Sequence, residues 1–152
     1  MTELLEVKKD NFLISTDKGK LDLKVIHGFL YTCYWSKGIP EELLIRAIEN
    51  SVCFGLYKGA EQIGFARVVT DYATFFYLAD VFILEAHRGE KLGVWLIETI
   101  VNHPAFTGIR TWTLLTADAH GLYAKFGFQN HSDPKRFMIR KVPYPYPLPE
   151  IL

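Results

Sequence analysis

The sequence has little that would favour a nucleic-acid-binding, cross-linked or membrane-embedded protein. Its 17 basic and 17 acidic side chains give a formal net charge of zero, so we expect no broad basic surface. Only two cysteines occur, Cys33 and Cys53, and their spacing fits neither a metal site nor a disulfide framework. No apolar run is long enough to cross a membrane, and the charged N-terminal residues do not resemble a signal peptide. We therefore expect a cytoplasmic protein that binds no nucleic acid, membrane or metal.

The composition favours a folded domain with a substantial core. Hydrophobic residues make up 49% of the chain and aromatic residues 14%, and 152 residues are enough to bury a core within one domain. No linker or internal repeat divides the sequence before its proline-rich end. We expect a single α+β domain over residues 1–142 and a tail over residues 143–152.

The tail has proline at alternate positions from Pro143 to Pro149. This pattern favours an extended polyproline II conformation and excludes a helix or a central strand. Such an arm can lie on its own molecule, dock on a second copy in a homodimer, or bind a proline-recognising domain of another protein. No charge pattern in the tail selects among these three possibilities.

The spacing of apolar residues predicts alternating helices and strands. Three strands in the middle of the chain are separated by turns short enough for antiparallel pairing. A later strand, helix and strand form a unit whose two strands should be parallel and joined by a right-handed crossover. The predicted elements in chain order are a strand at 11–16, helices at 21–35 and 40–50, strands at 52–57, 62–70 and 75–84, a helix from 92 that Pro104 ends, a strand at 109–116, a short helix capped by Asp118 and closed by Gly127, and a strand at 136–142.

The junction at residues 79–94 predicts a binding site for phosphate. An apolar strand leads into a turn that contains Gly89 and Gly93 together with the cations Arg88 and Lys91, and a helix follows at once. The first turn of a helix has unpaired backbone N–H groups and a partial positive charge, so anions bind there. The alternative is an ordinary strand-to-helix turn with solvated charges, and the residues alone give both interpretations equal weight.

The same turn, together with the segment 122–128 and the order of elements, resembles the GNAT superfamily of N-acetyltransferases. In that family the turn reads Arg or Gln, two residues, Gly, one residue, then Gly or Ala, and its amides hold the pyrophosphate of coenzyme A. This sequence has Lys91 where the middle glycine usually stands. The resemblance implies pyrophosphate contacts from the whole turn, which is Arg88, Gly89, Glu90, Lys91, Leu92 and Gly93.

The resemblance also implies the fold and the position of the pantetheine arm. The family has a mixed, mostly antiparallel central sheet that splays between its fourth and fifth strands, with helices on both faces. The pantetheine arm inserts at the splay and pairs with backbone there, which by alignment to the turn points to Val81, Ile83 and Leu84. A polar residue at the position of Asp118 also contacts this arm in many members. An ordinary buried strand is the alternative for the apolar segment.

Tyr123 lies just before Gly127 and Phe128 in the segment that carries the resemblance. In the family, a tyrosine at this place donates a proton to the departing coenzyme A thiolate. A phenol with a pKa near ~10 is protonated at neutral pH and can act as this donor. The alternative is a structural tyrosine packed against Leu122 and Phe126, and the resemblance favours the catalytic role.

Asp80 is the charged residue inside the apolar run 75–84, and burying an unpaired carboxylate is costly. One explanation is catalysis, in which Asp80 accepts the proton of the substrate amine directly or through water. The other is an ion pair with Arg67 across the hairpin. Both explanations carry equal weight. His120 is a further candidate base, although a histidine in the first turn of a short helix is more often a surface residue.

The aromatic residues Tyr31, Tyr34 and Trp35 and the loop 36–40 lie where the two N-terminal helices of the family border the acceptor groove. They could enclose an amine or simply pack the helices on the sheet. The resemblance implies an enzyme that transfers the acetyl group of acetyl-CoA, its co-substrate, to a primary amine of a small molecule by direct attack. The alternatives are a non-catalytic acyl-CoA sensor or interaction domain, and an acetyltransferase acting on protein lysines or N-termini.

Overall fold

A six-stranded sheet runs through the chain, and its strands lie side by side in the order in which they occur in the sequence. The computed structural model describes residues 3–143 and 146. The strands are β1 (Glu6–Lys9), β2 (Phe12–Ser15), β3 (Val52–Lys58), β4 (Glu61–Thr70), β5 (Phe75–Ile83) and β6 (Thr111–Leu114). Neighbouring strands from β1 to β5 are antiparallel, whereas β5 and β6 are parallel, as expected for strands joined by a helical crossover.

Strand β1 has no counterpart among the predicted strands. It pairs with β2 through a two-residue turn, Asp10 and Asn11, in which Asp10 has a left-handed φ of 53°. Within β1, Val7 is half-buried and its neighbours are exposed, so the hydrophobic alternation that identifies strands is weak. The available signal is the Asp-Asn pair, because such residues favour tight hairpin turns.

The α-helices of the described residues are α1 (Leu23–Thr32), α2 (Glu41–Glu49), α3 (Leu92–Val101) and α4 (His120–Ala124). The Asp22 carboxylate accepts hydrogen bonds from the amides of Lys24 and Val25 and so starts α1. Pro40 precedes α2, whose first turn places Glu41 and Glu42 at the positive end of the helix dipole. None of the helices in this part of the chain is long and apolar enough to span a membrane.

The helices pack on both faces of the sheet, as predicted. On one face α3 covers a cluster that includes Phe54 and Val68. On the other face α1 and α2 cover Cys53, Phe65 and Phe82. Cys53 and Phe54 are neighbours in β3 and yet belong to different clusters, because successive side chains of a strand point to opposite faces. The sheet is therefore a middle layer with a hydrophobic core on each side.

A β-bulge interrupts the pairing of β4 with β5. Phe65 pairs with Phe82 whereas Arg67 pairs with Ala79, so a step of two residues on β4 matches a step of three on β5. The irregularity centres on Asp80, which has a left-handed φ of 55°. Bulges of this kind bend a strand and redirect its side chains.

Strands β5 and β6 separate just before this bulge. Their pairing runs from Phe75 with Thr111 to Leu78 with Leu114, and β5 continues to Ile83 beyond the last pair. These two strands are the fourth and fifth predicted strands, so the predicted splay is confirmed. The predicted fold class, a mixed and mostly antiparallel sheet with helices on both faces, is also confirmed.

The strand predicted at 136–142 is wrong. Pro134–Arg136 forms a short 3₁₀ turn, and residues 137–143 have no regular structure. A strand forms where its backbone groups find a partner, and this segment pairs with no strand of the described residues. Its apolar side chains, which suggested a strand, are exposed: Phe137, Met138, Ile139 and Val142.

The helix cap predicted at Asp118 is also wrong. Helix α4 begins at His120, and Ala119 occupies the cap position without a side-chain hydrogen bond to the helix. The hydroxyl of Thr116 accepts a hydrogen bond of 3.0 Å from the Ala119 amide, which satisfies this backbone group in place of Asp118. The end of the segment is as predicted, because Gly127 has the positive φ of 89° that favours glycine.

The proline-rich tail lies outside the described residues except for Pro143 and Tyr146. Its polyproline II conformation therefore stays a prediction, as does the boundary between a domain at 1–142 and a tail at 143–152. The side chain of Tyr146 packs against the core cluster that α1 and α2 cover.

Candidate functional site

A groove with a volume of about 980 Å³ opens where β5 and β6 separate. Helix α2 and the loop after α1 form one side, β5 lies between, and the end of β6 with α4 forms the other side. Small-molecule sites typically have volumes of roughly 300–1,000 Å³. Among the site residues selected from the sequence, those that line this groove are Tyr34, Trp35, Asp80, Val81, Asp118 and Tyr123.

The last residues of β5 present backbone groups on the side away from β4. The Leu84 amide donates to the Ile63 carbonyl on β4 at 2.8 Å, so it is occupied within the sheet. The carbonyl of Ile83 belongs to the same peptide group as this amide, and it therefore points away from β4. The N–H of Ile83 also points away from β4, because the N–H and C=O of one strand residue face the same side. Val81 lies two residues earlier and lines the groove. Ile83 and Val81 are thus better placed than Leu84 to pair with an extended ligand.

The turn after β5 leads directly into the start of α3. The first hydrogen bond of this helix joins the Trp95 amide to the Lys91 carbonyl, and Lys91 makes no side-chain cap. The amides of Leu92 and Gly93 therefore have no partner within the helix. Leu92 can offer only its amide, because its side chain is buried in the core. These amides and the dipole of α3 together favour an anion at this end.

Two glycines leave the surface of this turn open. A Cβ atom built on Gly89 or on Gly93 meets no other atom within 4 Å, so neither glycine is required for packing inside the protein. Gly89 also has a positive φ of 89°. Absent side chains at both positions let a ligand approach the backbone closely.

Lys91 adopts a backbone conformation that favours glycine, the residue that the family usually has here. Its φ is 60° and its ψ is 22°, which is the left-handed region. A residue with a Cβ atom loses roughly 1–2 kcal/mol in this conformation. The departure in sequence therefore leaves the backbone geometry of a glycine turn in place, and it adds an exposed cation.

Two further side chains of the turn are charged and exposed, Arg88 and Glu90. The Nε of Arg88 donates a hydrogen bond of 3.0 Å to the Ile83 carbonyl. This bond ties the turn to the end of β5 and leaves the two terminal nitrogens of the guanidinium for an external acceptor. Arg88 thus links the open edge of β5 to the open start of α3.

Tyr123 projects from α4 into the groove and is only 8% exposed. Its ring packs edge-on against Phe128, with 6.1 Å between the ring centroids. Burial raises the pKa of the hydroxyl, and the charge of Asp118 raises it further. Within the described residues the hydroxyl makes no hydrogen bond, so it is a protonated donor available to a ligand.

Asp80 forms the predicted ion pair with Arg67, whose Nε donates to Oδ2 at 2.8 Å. The other oxygen, Oδ1, accepts a hydrogen bond of 3.0 Å from the indole Nε1 of Trp35. Arg67 also donates through Nη1 to the Ser51 hydroxyl at 3.1 Å. The Asp80 and Arg67 side chains are 11% and 17% exposed. Arg67 and Trp35 therefore explain how the Asp80 carboxylate can be buried, without any role in catalysis. Asp80 nevertheless lines the groove.

Two of the three predicted aromatic residues border the groove. Trp35 and Tyr34 are 44% and 68% exposed, and their rings meet edge-on with centroids 5.1 Å apart. The ring of Tyr31 instead lies 5.4 Å from that of His27, and Tyr31 is not part of the groove lining.

Sequence reasoning missed several residues that line the groove. Arg46 and Asn50 lie one turn apart on the face of α2 that borders it, a spacing that the sequence already shows. Tyr77 is contributed by β5. Lys141 and Tyr146 come from the C-terminal segment, and no local pattern predicts that this segment returns to the groove.

Residues 49–130 match the family model of the acetyltransferase (GNAT) domain, which is more than half of the chain. The chain belongs to the GNAT family. A Gibberella zeae protein provisionally named an acetyltransferase is 31% identical, over 77% of this chain and 78% of the relative.

One solved structure agrees with this assignment, and a second shares the fold. A protein of Xanthomonas campestris pv. campestris, provisionally named an acetyltransferase of the GNAT family, is 45% identical and has a TM-score of 0.86, covering 89% of this chain and 96% of that chain. A provisionally named acetyltransferase from Clostridium acetobutylicum, solved with acetyl-CoA, is 15% identical with a TM-score of 0.61, covering 86% and 95%. The second likeness concerns the fold alone. Within residues 3–143 and 146, no group of three or more His, Cys, Asp or Glu side chains could hold a metal ion.

Proposed function

We propose that this GNAT protein transfers the acetyl group of acetyl-CoA to a primary amine of a small molecule by direct attack. The observation that carries the proposal is the position of Tyr123, whose unpaired, protonated hydroxyl faces the groove at the splay of β5 and β6. The groove's volume suits a small acceptor. Acetyl-CoA supplies an acetyl group activated as a thioester.

The turn between β5 and α3 fits the pyrophosphate of this co-substrate. The amides of Leu92 and Gly93 would donate to phosphate oxygens, and the surface over Gly89 and Gly93 has room for them. The guanidinium of Arg88 would add charge-assisted hydrogen bonds. The Lys91 ammonium would lie close to the same oxygens as a point charge.

The open edge of β5 fits the pantetheine arm. The N–H groups of Val81 and Ile83 would pair with its amide groups in the manner of an added strand. Asp118 lies on the other side of the groove and would contact the arm there. This arrangement would lead the arm from the turn towards Tyr123.

Tyr123 would act as the general acid. As the amine nitrogen forms its bond to the acetyl carbon and the carbon–sulfur bond breaks, the Tyr123 hydroxyl gives its proton to the departing sulfur. Because burial raises the pKa of this hydroxyl, the proton is present at physiological pH. Asp80 would either accept the amine's proton through water or only fix Trp35 at the groove, in which case solvent water takes that proton. Solvent then returns a proton to Tyr123 before the next turnover.

Release of free thiol from acetyl-CoA, measured with a panel of small amines, tests the proposal. We expect amine-dependent release and an acetylated amine of matching mass. Tight binding of acetyl-CoA without turnover of any amine would instead support the sensor. This second candidate is favoured by one observation, the engagement of both Asp80 oxygens, which leaves no unpartnered carboxylate oxygen on Asp80 to act as a base. Acetylation of peptides but of no small amine would support a protein acetyltransferase.

A further inference from the structure

Two cations that line the groove have no acidic partner among the described residues. Arg46 enters it from α2, and Lys141 enters it from the C-terminal segment. The third cation of the groove, Arg67, is paired with Asp80. The other ion pair of the described residues joins Lys20 to Glu6, outside the groove. Neither Arg46 nor Lys141 is therefore ion-paired with an acid of the described residues, so both side chains can bind an anionic ligand.

The remaining charged side chains of the groove lie on different sides according to their sign. Asp118 is the other acid in the lining, and its charge acts on the Tyr123 hydroxyl. It lies on the side formed by β6 and α4, whereas Arg46 lies on the side formed by α2. The groove thus has an acid beside the proposed reaction centre and an unpaired guanidinium across β5 from it.

This arrangement suits an acceptor with opposite charges at its two ends. The amine of the acceptor must reach the side of the groove that holds Tyr123. There the negative charge of Asp118 favours the protonated amine, before this amine loses its proton. The other end of the acceptor then lies towards α2. A guanidinium binds carboxylate and phosphate groups through two parallel hydrogen bonds, and an ammonium adds a point charge.

We propose that the acceptor is a small primary amine that also carries a carboxylate or phosphate group, which Arg46 binds with support from Lys141. This inference rests on the proposed function of the groove. It narrows the acceptor to anionic or zwitterionic amines and disfavours diamines, whose second ammonium would meet two cations.

A matched series of acceptors tests the charge preference. We would compare kcat/KM for n-butylamine, 4-aminobutanoate and 1,4-diaminobutane, which share a four-carbon chain and differ in the charge at the far end. We expect 4-aminobutanoate to exceed n-butylamine by about tenfold, with a preference that falls as salt is added. Equal values for these two, or the highest value for the diamine, would overturn the inference. O-phosphoethanolamine against ethanolamine repeats the test with phosphate, and the larger ratio identifies the preferred anion.

Replacing Arg46 with an acid tests whether this residue causes the preference for an anionic acceptor. Arg46→Glu should lower kcat/KM for 4-aminobutanoate by about tenfold more than for n-butylamine. Arg110→Glu is the matched control, because Arg110 is also exposed and lies outside the groove lining. It should leave all three acceptors unchanged. An equal effect of both variants on the preference would contradict a role for Arg46.

The two proposals fail in different ways. If n-butylamine is acetylated as well as 4-aminobutanoate, the acetyltransferase proposal stands and the anionic acceptor is wrong. If acetyl-CoA binds and no amine of either series releases thiol, the proposed function itself is wrong.

Discussion

The indole Nε1 of Trp35 donates a hydrogen bond of 3.0 Å to Oδ1 of Asp80. This bond joins the loop after α1 to the bulge of β5, and the ion pair of Asp80 with Arg67 extends the connection to β4. Trp35 is 44% exposed in spite of this anchoring. A large side chain that is both exposed and held in place suits a binding surface better than a mobile one, because less conformational entropy is lost on binding.

Replacing Asp80 with Asn distinguishes anchoring from proton transfer. Asparagine carries no charge and has a single acceptor oxygen, so it can accept from Trp35 or from Arg67 and turns its NH2 group towards the other donor. We therefore expect a loss of about 1–2 kcal/mol in the free energy of unfolding, measured in urea. If Asp80 only anchors Trp35, the kcat/KM of Asp80→Asn keeps the pH dependence of the wild type. In that case Asp80→Asn and Trp35→Phe should raise KM to a similar extent. Loss of the acidic limb of the pH profile in Asp80→Asn would instead identify Asp80 as the base.

Replacing Tyr123 with Phe should lower kcat by about 100-fold, because general acid catalysis contributes roughly 10²–10⁴-fold. The affinity for acetyl-CoA, measured by calorimetry, should stay the same. Tyr77→Phe is the matched control, since Tyr77 also lines the groove and its pKa is also raised by burial. Unchanged turnover in Tyr123→Phe would remove Tyr123 from the mechanism.

The pH dependence of kcat follows from the same hydroxyl. The acid must be protonated to act, and burial raises its pKa above the ordinary tyrosine value of about 10. A loss of kcat caused by Tyr123 ionisation should therefore begin only above the usual tyrosine range and not near neutral pH. A basic limb near neutral pH that disappears in Tyr123→Phe would contradict this assignment.

Replacing Lys91 with Gly should relieve the left-handed backbone. We expect a gain of up to about 1 kcal/mol in the free energy of unfolding, because the cost of the Cβ atom exceeds the entropy that glycine adds to the unfolded chain. Lys91→Ala is the control, since it removes the ammonium and keeps the strain. A weaker affinity for acetyl-CoA in both variants would show a side-chain contact with phosphate. Lower stability of Lys91→Gly than of Lys91→Ala would contradict the strain argument.

Gly93 tests whether the start of α3 approaches a ligand. Gly93→Leu should weaken acetyl-CoA binding by tenfold or more, because the leucine side chain would fill the space over the amides at the start of α3. A tenfold loss of affinity corresponds to about 1.4 kcal/mol. The fold should tolerate it, since a Cβ atom here meets nothing within 4 Å. Gly28→Leu, also open within a helix, is the control for stability. Normal binding by Gly93→Leu would place the pyrophosphate elsewhere.

Local patterns in the sequence predict the central strands and the helices, because these elements bury periodic apolar residues. The turn at residues 88–93 and the segment around Tyr123 also identify the family. The sequence alone does not predict β1, whose residues bury little, or the failure of 136–142 to pair. It leaves open the choice between the two roles of Asp80. The bonds to Arg67 and Trp35 depend on contacts between residues distant in the chain.

Residues that line the groove from α2 and the C-terminal segment were missed for a related reason. A cation such as Arg46 on a helix surface has the same local pattern whether it faces solvent or a groove. Only the packing of α2 beside β4 and β5 gives it a position at the site. The occupied amide of Leu84 is likewise a consequence of sheet register, which a single strand does not reveal.

The bulge at Asp80 also changes which core each side chain of β5 enters. Leu78 belongs to the cluster covered by α3, whereas Phe82, four residues later, belongs to the cluster covered by α1 and α2. In a regular strand these two side chains would share a face, because the side-chain period is two. The bulge residue therefore stands outside the alternation, since Val81 and Ile83 pack on the cluster of Leu78, and Phe82 packs on the other. Deleting Asp80 would restore a regular alternation with Phe82 still in its own core, so a variant that lacks this residue should keep both cores while it loses the bulge and the anchor of Trp35.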